Sequence, residues 1–221
     1  DVVISFFADI SSITLMAARK LAIPVIVSER NHPRHHVIPW RWKMARQMLY
    51  RQADRLVIQS GEMVPFYQRL GVRTAVIAKP LREVRTDASE KLPWIRGVGR
   101  LTRQKGFDLL LRAYAASGLS PHWQLVIVGE GEERDNLEQL AKELGVEEGL
   151  HLPGQVKDVD SYYSRASLFV LSSRYEGFPN ALAEAMSAGL ACISFDCEYG
   201  PGILLGHEEN GMLVSAGNVE K

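Results

Sequence analysis

The sequence predicts an α/β protein made of two doubly wound domains, and three observations carry that prediction. Short β-branched runs alternate with segments of helical periodicity along nearly the whole chain, the pattern of parallel strands joined by crossover helices. The alternation breaks once, in a polar stretch after Pro80, and then restarts. The composition, 46% hydrophobic and 24% charged over 221 residues, suits a chain that buries a real core and excludes disordered, collagen-like and disulfide-scaffold classes.

Taken in order, residues 2–6 read as a strand, and residues 12–21 as a helix with Ile13, Met16, Ala17 and Leu21 on its apolar face. Residues 24–28 read as a buried strand, 40–52 as an amphipathic helix and 56–59 as a strand. A helix over 61–70 closes at Gly71, and a short strand over 74–78 is halted by Pro80. The charge-rich stretch carrying Thr86, Asp87 and Ser89 makes 83–92 the expected linker between domains 1–82 and 93–221. Strands are then expected at 94–98, 124–128, 150–152, 168–171 and 191–195, with helices at 106–116, 132–144, 159–165 and 180–188 between them. The first domain has too few strands for a complete sheet of this type, and the second is expected to stop before its last elements. The chain opens on Asp1 rather than Met and enters a strand at once, as a piece of a longer protein would.

Twenty-six Lys+Arg balance twenty-six Asp+Glu, so nothing global points to nucleic acid, and no nucleic-acid partner is expected. Two cysteines, Cys192 and Cys197, make neither a disulfide framework nor a metal-type pair and fit a reducing compartment. The opening residues do not read as a signal peptide, and no run approaches the roughly 20 apolar residues of a membrane span. A cytoplasmic protein is expected, with peripheral contact at the inner face of a membrane.

Chemistry is concentrated in segments that leave strands and enter helices, where open α/β sheets bind ligands. In the run from Ser173 to Glu184, Gly177 permits an unusual backbone turn, and Pro179 suits a first helical turn. The amides of Asn180, Ala181 and Leu182 then point out of a helix N-terminus, a ready anion site. Glu184, one turn deeper on the face of Asn180, can accept two hydrogen bonds from a ribose diol. The plainer alternative is that Glu176 caps the helix and Glu184 faces solvent; the strand–turn–helix context favours the ligand reading. In the loop containing Gly99, Arg100 and Lys105, a planar fork and a point charge suit phosphate oxygens; alone, they would read as a solvated rim.

Val128 to Glu133 lacks a full dinucleotide fingerprint, and its carboxylates would repel phosphate. Around Val156, an exposed backbone could meet a planar base edge, although an ordinary turn explains the residues equally well. The segment Glu29, Arg30, Asn31, His32 closes a strand and is expected to line a polar crevice. His32, His35 and His36 invite a metal, but no Asp or Cys accompanies them. Trp40, Arg41, Trp42, Lys43, Arg46 and Arg51 make a basic, aromatic, amphipathic segment suited to an anionic membrane surface; a solvated helix face with a tryptophan in the core is the alternative.

Together these residues resemble a retaining glycosyltransferase of the GT-B fold, glycosyltransferase family 4 (glycosyl transferases group 1). Glu176 and Glu184 match its E-x7-E motif within EGFPNALAEAMSAG, and Gly99-Arg100-Leu101 with Lys105-Gly106 matches its GRL…KG diphosphate site. Similar stretches run through residues 94–214, and IPVIVSERNHPR and ADRLVIQS resemble the acceptor-side half. The resemblance implies two Rossmann-like domains, the first truncated and the last helix missing. It implies a nucleotide-sugar donor, UDP ahead of other nucleotides, and a glycan or lipid-linked acceptor in envelope polysaccharide or glycolipid synthesis. By the same resemblance Arg100 and Lys105 neutralise the leaving diphosphate, Glu176 contacts the sugar, and Glu184 contacts the ribose. Backbone around Gly177, Phe178, Pro179, Asn180, Ala181 and Leu182 holds phosphate and sugar hydroxyls, and Val156 meets the base, with no metal and no cofactor. Lys79-Pro80 replaces a frequent Asn-Pro, and Gly202-Ile203 an Arg/Glu pair, which weakens any sugar-recognition role for that last loop. A sugar-nucleotide epimerase and a non-catalytic nucleotide-sugar-binding fragment are the rival readings; the E-x7-E segment argues against the first.

Overall fold

The structure is a computed structural model that describes residues 1–86, 90–198 and 200–219. The chain divides into two compact units, one of Asp1–Pro80 with Glu176–Phe178, the other of Leu81–Tyr175 with Pro179–Lys221.

The first unit carries four parallel strands, β1 (Val3–Phe6), β2 (Val25–Ser28), β3 (Arg55–Ile58) and β4 (Thr74–Val76). They pair in chain order, so this sheet is wound in one direction across its described strands. Its helices are α1 (Ala8–Ala18), α2 (Trp40–Leu49) and α3 (Val64–Gln68). Helix α1 begins four residues before the expected Ser12. Ser11 and Ser12 are both buried inside the helix. The Ser12 hydroxyl donates back to the Ala8 carbonyl at 2.6 Å, and Ser5 donates to Ser11 at 3.1 Å. Small hydroxyls satisfied this way are tolerated within a helix. The expected helix over 61–70 is a 3₁₀ turn, Gly61–Met63, followed by α3.

The second unit carries β5 (Trp94–Val98), β6 (Gln124–Val128), β7 (Leu150–Gly154), β8 (Leu168–Leu171), β9 (Ala191–Asp196) and β10 (Met212–Ser215). All pairings are parallel, in the order β10-β9-β8-β5-β6-β7. Strand order therefore reverses between β5 and β8, and open sheets of this kind bind ligands beyond the carboxyl ends of such neighbours. Helices α4 (Phe107–Ala116), α5 (Arg134–Leu144), α6 (Asp160–Arg165), α7 (Asn180–Ser187) and α8 (Pro201–Leu204) complete the unit. Strand β10 and the short α8 lie beyond the elements the sequence pattern predicted.

Side-chain alternation along the strands divides the core into two layers. Leu125 and Ile127 of β6 join Leu110, Leu111 and Leu137 of α4 and α5, whereas Phe169 and Leu171 of β8 join Tyr163, Leu182 and Ala185 of α6 and α7. At 25–30 cal/mol per Å² of apolar surface, full burial of one such side chain contributes roughly 1.5–3 kcal/mol before entropy is counted. Val84 sits in the second layer, and the Arg85 amide donates to Asp160 at 3.1 Å. The start of the expected linker is thus packed into the second unit, because a single apolar residue amid the charges found a core; Asp87 and Ser89 lie outside the described residues.

Candidate functional site

Three loops at the carboxyl edge of the second sheet are laced together by backbone. The Gly99 amide donates to the Val128 carbonyl at 3.0 Å, Leu101 to Glu130 at 2.8 Å, and Glu133 back to Leu101 at 3.0 Å. Gly129, at φ +149°, comes so close that an added Cβ would stand 1.8 Å from the Gly99 carbonyl oxygen. On the other side, Arg174 donates its amide to Gln104 at 2.8 Å, Gln104 its side-chain amide to the Tyr175 carbonyl at 3.0 Å, and Ser172 its hydroxyl to the Lys105 carbonyl at 2.9 Å. Gly106, left-handed at φ +63°, would put a Cβ 2.1 Å from the Ser172 oxygen. Only glycine fits there, so the loop carrying Arg100 and Lys105 is fixed against the segment that leads to α7.

A charged clamp reinforces this seam. The Arg174 guanidinium grips both oxygens of Asp108, each at 2.7 Å, and donates to the Arg103 carbonyl at 2.9 Å. Arg174 holds the Asp108 carboxyl below the usual range, and Asp108 sits in the first turn of α4, where negative charge is favoured. The sequence pattern gave these two residues no role; their signal is a long-range pair of opposite charges, visible only once β5 and β8 are neighbours.

Arg100 projects to solvent, and Lys105 is half-buried. Helix α7 begins immediately after Pro179, which occupies the N-cap rather than the first helical position. Pro179 itself brings no side-chain cap to the helix. The amides of Asn180, Ala181 and Leu182 form its first turn, where the helix offers no carbonyl partners and the dipole favours an anion. Glu184 lies one turn further in. Its carboxylate receives the Tyr163 hydroxyl at 3.3 Å and faces Arg82 Nε at 3.4 Å. Neither Tyr163 nor Arg82 was singled out in the sequence.

The neighbouring loops account for their own charges. Glu130 pairs with Arg134 at 2.7 Å, which holds its exposed carboxyl low, and Arg134 also meets Glu138 at 3.0 Å. Strand β7 runs through Gly154, two residues further than expected, leaving Val156 half-buried in the connection to α6. In the sole Asp-x-Asp of the sequence, Asp158 accepts the Ser161 amide at 3.3 Å, and Asp160 pairs with Arg82 at 2.5 Å.

In the first unit, Glu29 is only 3% exposed and accepts a 2.5 Å hydrogen bond from the Tyr50 hydroxyl. Burial pushes its pKa up, against the hydrogen bond from Tyr50 and the charge of Arg46. Burial, with Glu29 alongside, likewise drives the Tyr50 pKa upward. Glu29 is thus a core carboxyl, not the crevice-lining side chain expected; a β-strand end places it inward, next to Tyr50 at the start of the 3₁₀ turn that follows α2. Arg30 is exposed, with its guanidinium 4.4 Å over the Phe6 ring, and Asn31 is half-buried. His32 is buried, its Nδ1 accepting the amides of Arg34 at 3.2 Å and His35 at 3.1 Å. Glu176, Gly177 and Phe178 group with this unit, Glu176 and Phe178 buried.

The family model "Glycosyl transferases group 1" matches residues 83–221. The Campylobacter jejuni GalNAc-alpha-(1->4)-GalNAc-alpha-(1->3)-diNAcBac-PP-undecaprenol alpha-1,4-N-acetyl-D-galactosaminyltransferase is 30% identical over 221 positions, covering 97% of this chain and 60% of that enzyme. The Rhizobium meliloti lipopolysaccharide core biosynthesis glycosyltransferase LpsE is 34% identical over 134 positions, 61% of this chain and 38% of that one. The chain thus spans about two-fifths to three-fifths of the length of these relatives. Among solved structures, Anabaena HepE in complex with UDP superposes with a TM-score of 0.87 at 19% identity, over 99% of this chain and 66% of that one, which shows the shared fold.

Proposed function

The chain belongs to the glycosyl transferases group 1 family, and from that premise we propose that it transfers a sugar from a UDP-sugar to a glycan or lipid-linked acceptor with retention of configuration, in cell-envelope polysaccharide or glycolipid synthesis. The observation that carries the reading is the convergence at the switch point of the second sheet: the Arg100–Lys105 loop is laced to the segment entering α7, whose first turn presents an anion site one turn from Glu184. The named C. jejuni and R. meliloti relatives support the envelope setting, and the UDP held by HepE supports the nucleotide.

In this mechanism the bond from the anomeric carbon to the β-phosphate oxygen breaks and its electron pair goes to the diphosphate. Arg100, Lys105 and the amides of Asn180, Ala181 and Leu182 stabilise that developing charge. Charge-assisted contacts of this kind lower a barrier by roughly 2–4 kcal/mol each. The acceptor oxygen bonds the same face of the anomeric carbon while its proton passes to the departing phosphate oxygen, so no separate base is required. Glu184 takes the ribose diol, the backbone at Val156 the base edge, and Glu176 with the backbone of Gly177 and Phe178 the donor sugar. Both carboxylates of the Asp-x-Asp are already engaged, by the Ser161 amide and by Arg82, which favours a metal-independent reaction. Among the described residues no helix is long and apolar enough to cross a membrane. On α2, Trp40, Met44 and Met48 are exposed along one face beside Arg41 and Lys43, so peripheral attachment at a cytoplasmic membrane face is part of the proposal.

Transfer of labelled sugar from UDP-sugars to lipid-linked glycan acceptors tests the reading directly. Retained product stereochemistry and full activity in excess EDTA are expected, with no change in metal response when His32, His35 and His36 are all replaced by Asn. Activity lost to chelator and restored by Mg²⁺ or Mn²⁺ would overturn the mechanism.

A further inference from the structure

Glu184 is held from two sides by residues remote in sequence. Arg82 Nε lies 3.4 Å from Oε1, and the Tyr163 hydroxyl donates to Oε2 at 3.3 Å. Each holder is itself anchored. The Arg82 guanidinium also meets Asp160 Oδ1 at 2.5 Å, and the second Asp160 oxygen accepts the Arg85 amide at 3.1 Å. Tyr163 is fully buried, its hydroxyl also 3.3 Å from the Ala181 carbonyl. Arg82 is 43% exposed and Glu184 20%, so the carboxylate is restrained without being sealed off.

The arithmetic of a carboxylate gives this arrangement a consequence. Its two oxygens offer about four lone-pair positions. Arg82 and Tyr163 take one on each oxygen, leaving one on each for two adjacent hydroxyl donors. An unrestrained glutamate would lose side-chain entropy, on the order of 1 kcal/mol, on capturing such a pair. A carboxylate already fixed by an ion pair and a phenol has lost it beforehand, which is the general advantage of preorganisation.

We propose that Arg82, together with Tyr163, is a positioning residue that presets the Glu184 carboxylate for the ribose diol of a nucleoside diphosphate. This rests on the ribose role proposed above for Glu184. Arg82 acts through Glu184, so its influence extends only to ligands that carry the diol.

The test is a calorimetric comparison using whichever of UDP, GDP and ADP binds tightest and its 2′,3′-dideoxy analogue. The proteins are the unaltered chain, Arg82→Ala, Arg82→Lys, Glu184→Gln and the double variant Arg82→Ala/Glu184→Gln. Arg82→Ala is expected to weaken the ribonucleotide about threefold to tenfold, the range for a half-exposed charged contact. Binding of the dideoxy analogue and the melting temperature should be unchanged. Arg82→Lys should recover part of the loss, and adding Arg82→Ala to Glu184→Gln should cost nothing further. Equal losses for both nucleotides, or additive losses in the double variant, would overturn the proposal, because Arg82 would then be acting on phosphate or on folding. No loss in Arg82→Ala while Glu184→Gln weakens binding would overturn it and leave the ribose assignment standing. Unchanged affinity in Glu184→Gln, or no binding of any of the three diphosphates, would overturn the ribose assignment itself and the proposal with it.

Discussion

Two glutamates, one in each unit, each accept a tyrosine hydroxyl, and the difference between them separates a core carboxyl from a partly exposed one. Glu29 is 3% exposed and takes its 2.5 Å bond from Tyr50 inside the first unit, where burial outweighs the nearby Arg46 charge and raises its pKa. Glu184 is 20% exposed, bonded more loosely by Tyr163 at 3.3 Å and paired with a half-exposed arginine. The same residue pairing therefore does opposite work according to depth. Glu29 is enclosed in the core; Glu184 keeps part of its surface open to solvent. The loops around the two glutamates follow suit: the second unit brings cations to its sheet edge on a backbone-fixed frame, whereas the first folds its carboxyl inward.

The largest expected effect lies in the second unit. Arg100→Ala or Lys105→Ala should each lower transfer by about two orders of magnitude, the equivalent of roughly 2–4 kcal/mol of barrier. Melting temperatures should hold, because neither side chain belongs to the core. Near-normal kinetics in both variants would break the comparison at its functional end. At the structural end, Tyr50→Phe strands a buried carboxyl and should cost about 1–3 kcal/mol of stability, seen in denaturant melts, with nucleotide affinity unchanged. A variant of full stability would show that Glu29 is not held as the structure has it.

Glu184→Gln should do the reverse, weakening nucleotide binding about tenfold by calorimetry while the melting temperature stays put. A sharp fall in melting temperature with intact affinity would make Glu184 a second Glu29.

The smallest effect concerns pH. A carboxyl whose pKa is raised in the folded state keeps its proton after the unfolded chain has released one. Stability therefore falls as pH rises from the ordinary glutamate value of 4.5 toward the raised value of Glu29. Glu29→Gln keeps an oxygen for Tyr50 and carries no proton to lose, so its melts should depend less on pH across that window; an unaltered slope would show that Glu29 does not carry the raised pKa.

Much of the site was legible because its logic is local. A strand, a glycine turn and a helix opening on Asn180 lie within a dozen residues, and 3.6-residue periodicity alone puts Glu184 one turn below. Arg100 and Lys105 could be assigned to a strand-end loop for the same reason. Glu29 misled because nothing within its own segment announces Tyr50. Residues 83–86 misled because Val84 among charges gives little sign of the core that receives it.

What the sequence by itself determined, then, was the alternation of strands and helices and the residues at each strand's carboxyl end, both consequences of short-range periodicity and backbone chemistry. Which loops touch was decided only in three dimensions. The parallel pairing of β5 with β8 across some seventy residues brings Arg174 onto Asp108 and Ser172 onto Lys105 and closes the glycine-only gap at Gly106, while the pairing of β5 with β6 closes the one at Gly129. Burial made the final distinctions. It turned Glu29 into a core carboxyl, and it enclosed the Arg96 guanidinium completely, stacked 4.4 Å from the Tyr162 ring with its pKa lowered to about 10. The physical reason is that desolvation and ion pairing depend on every group packed around a charge, and that neighbourhood is assembled from segments the linear order keeps apart.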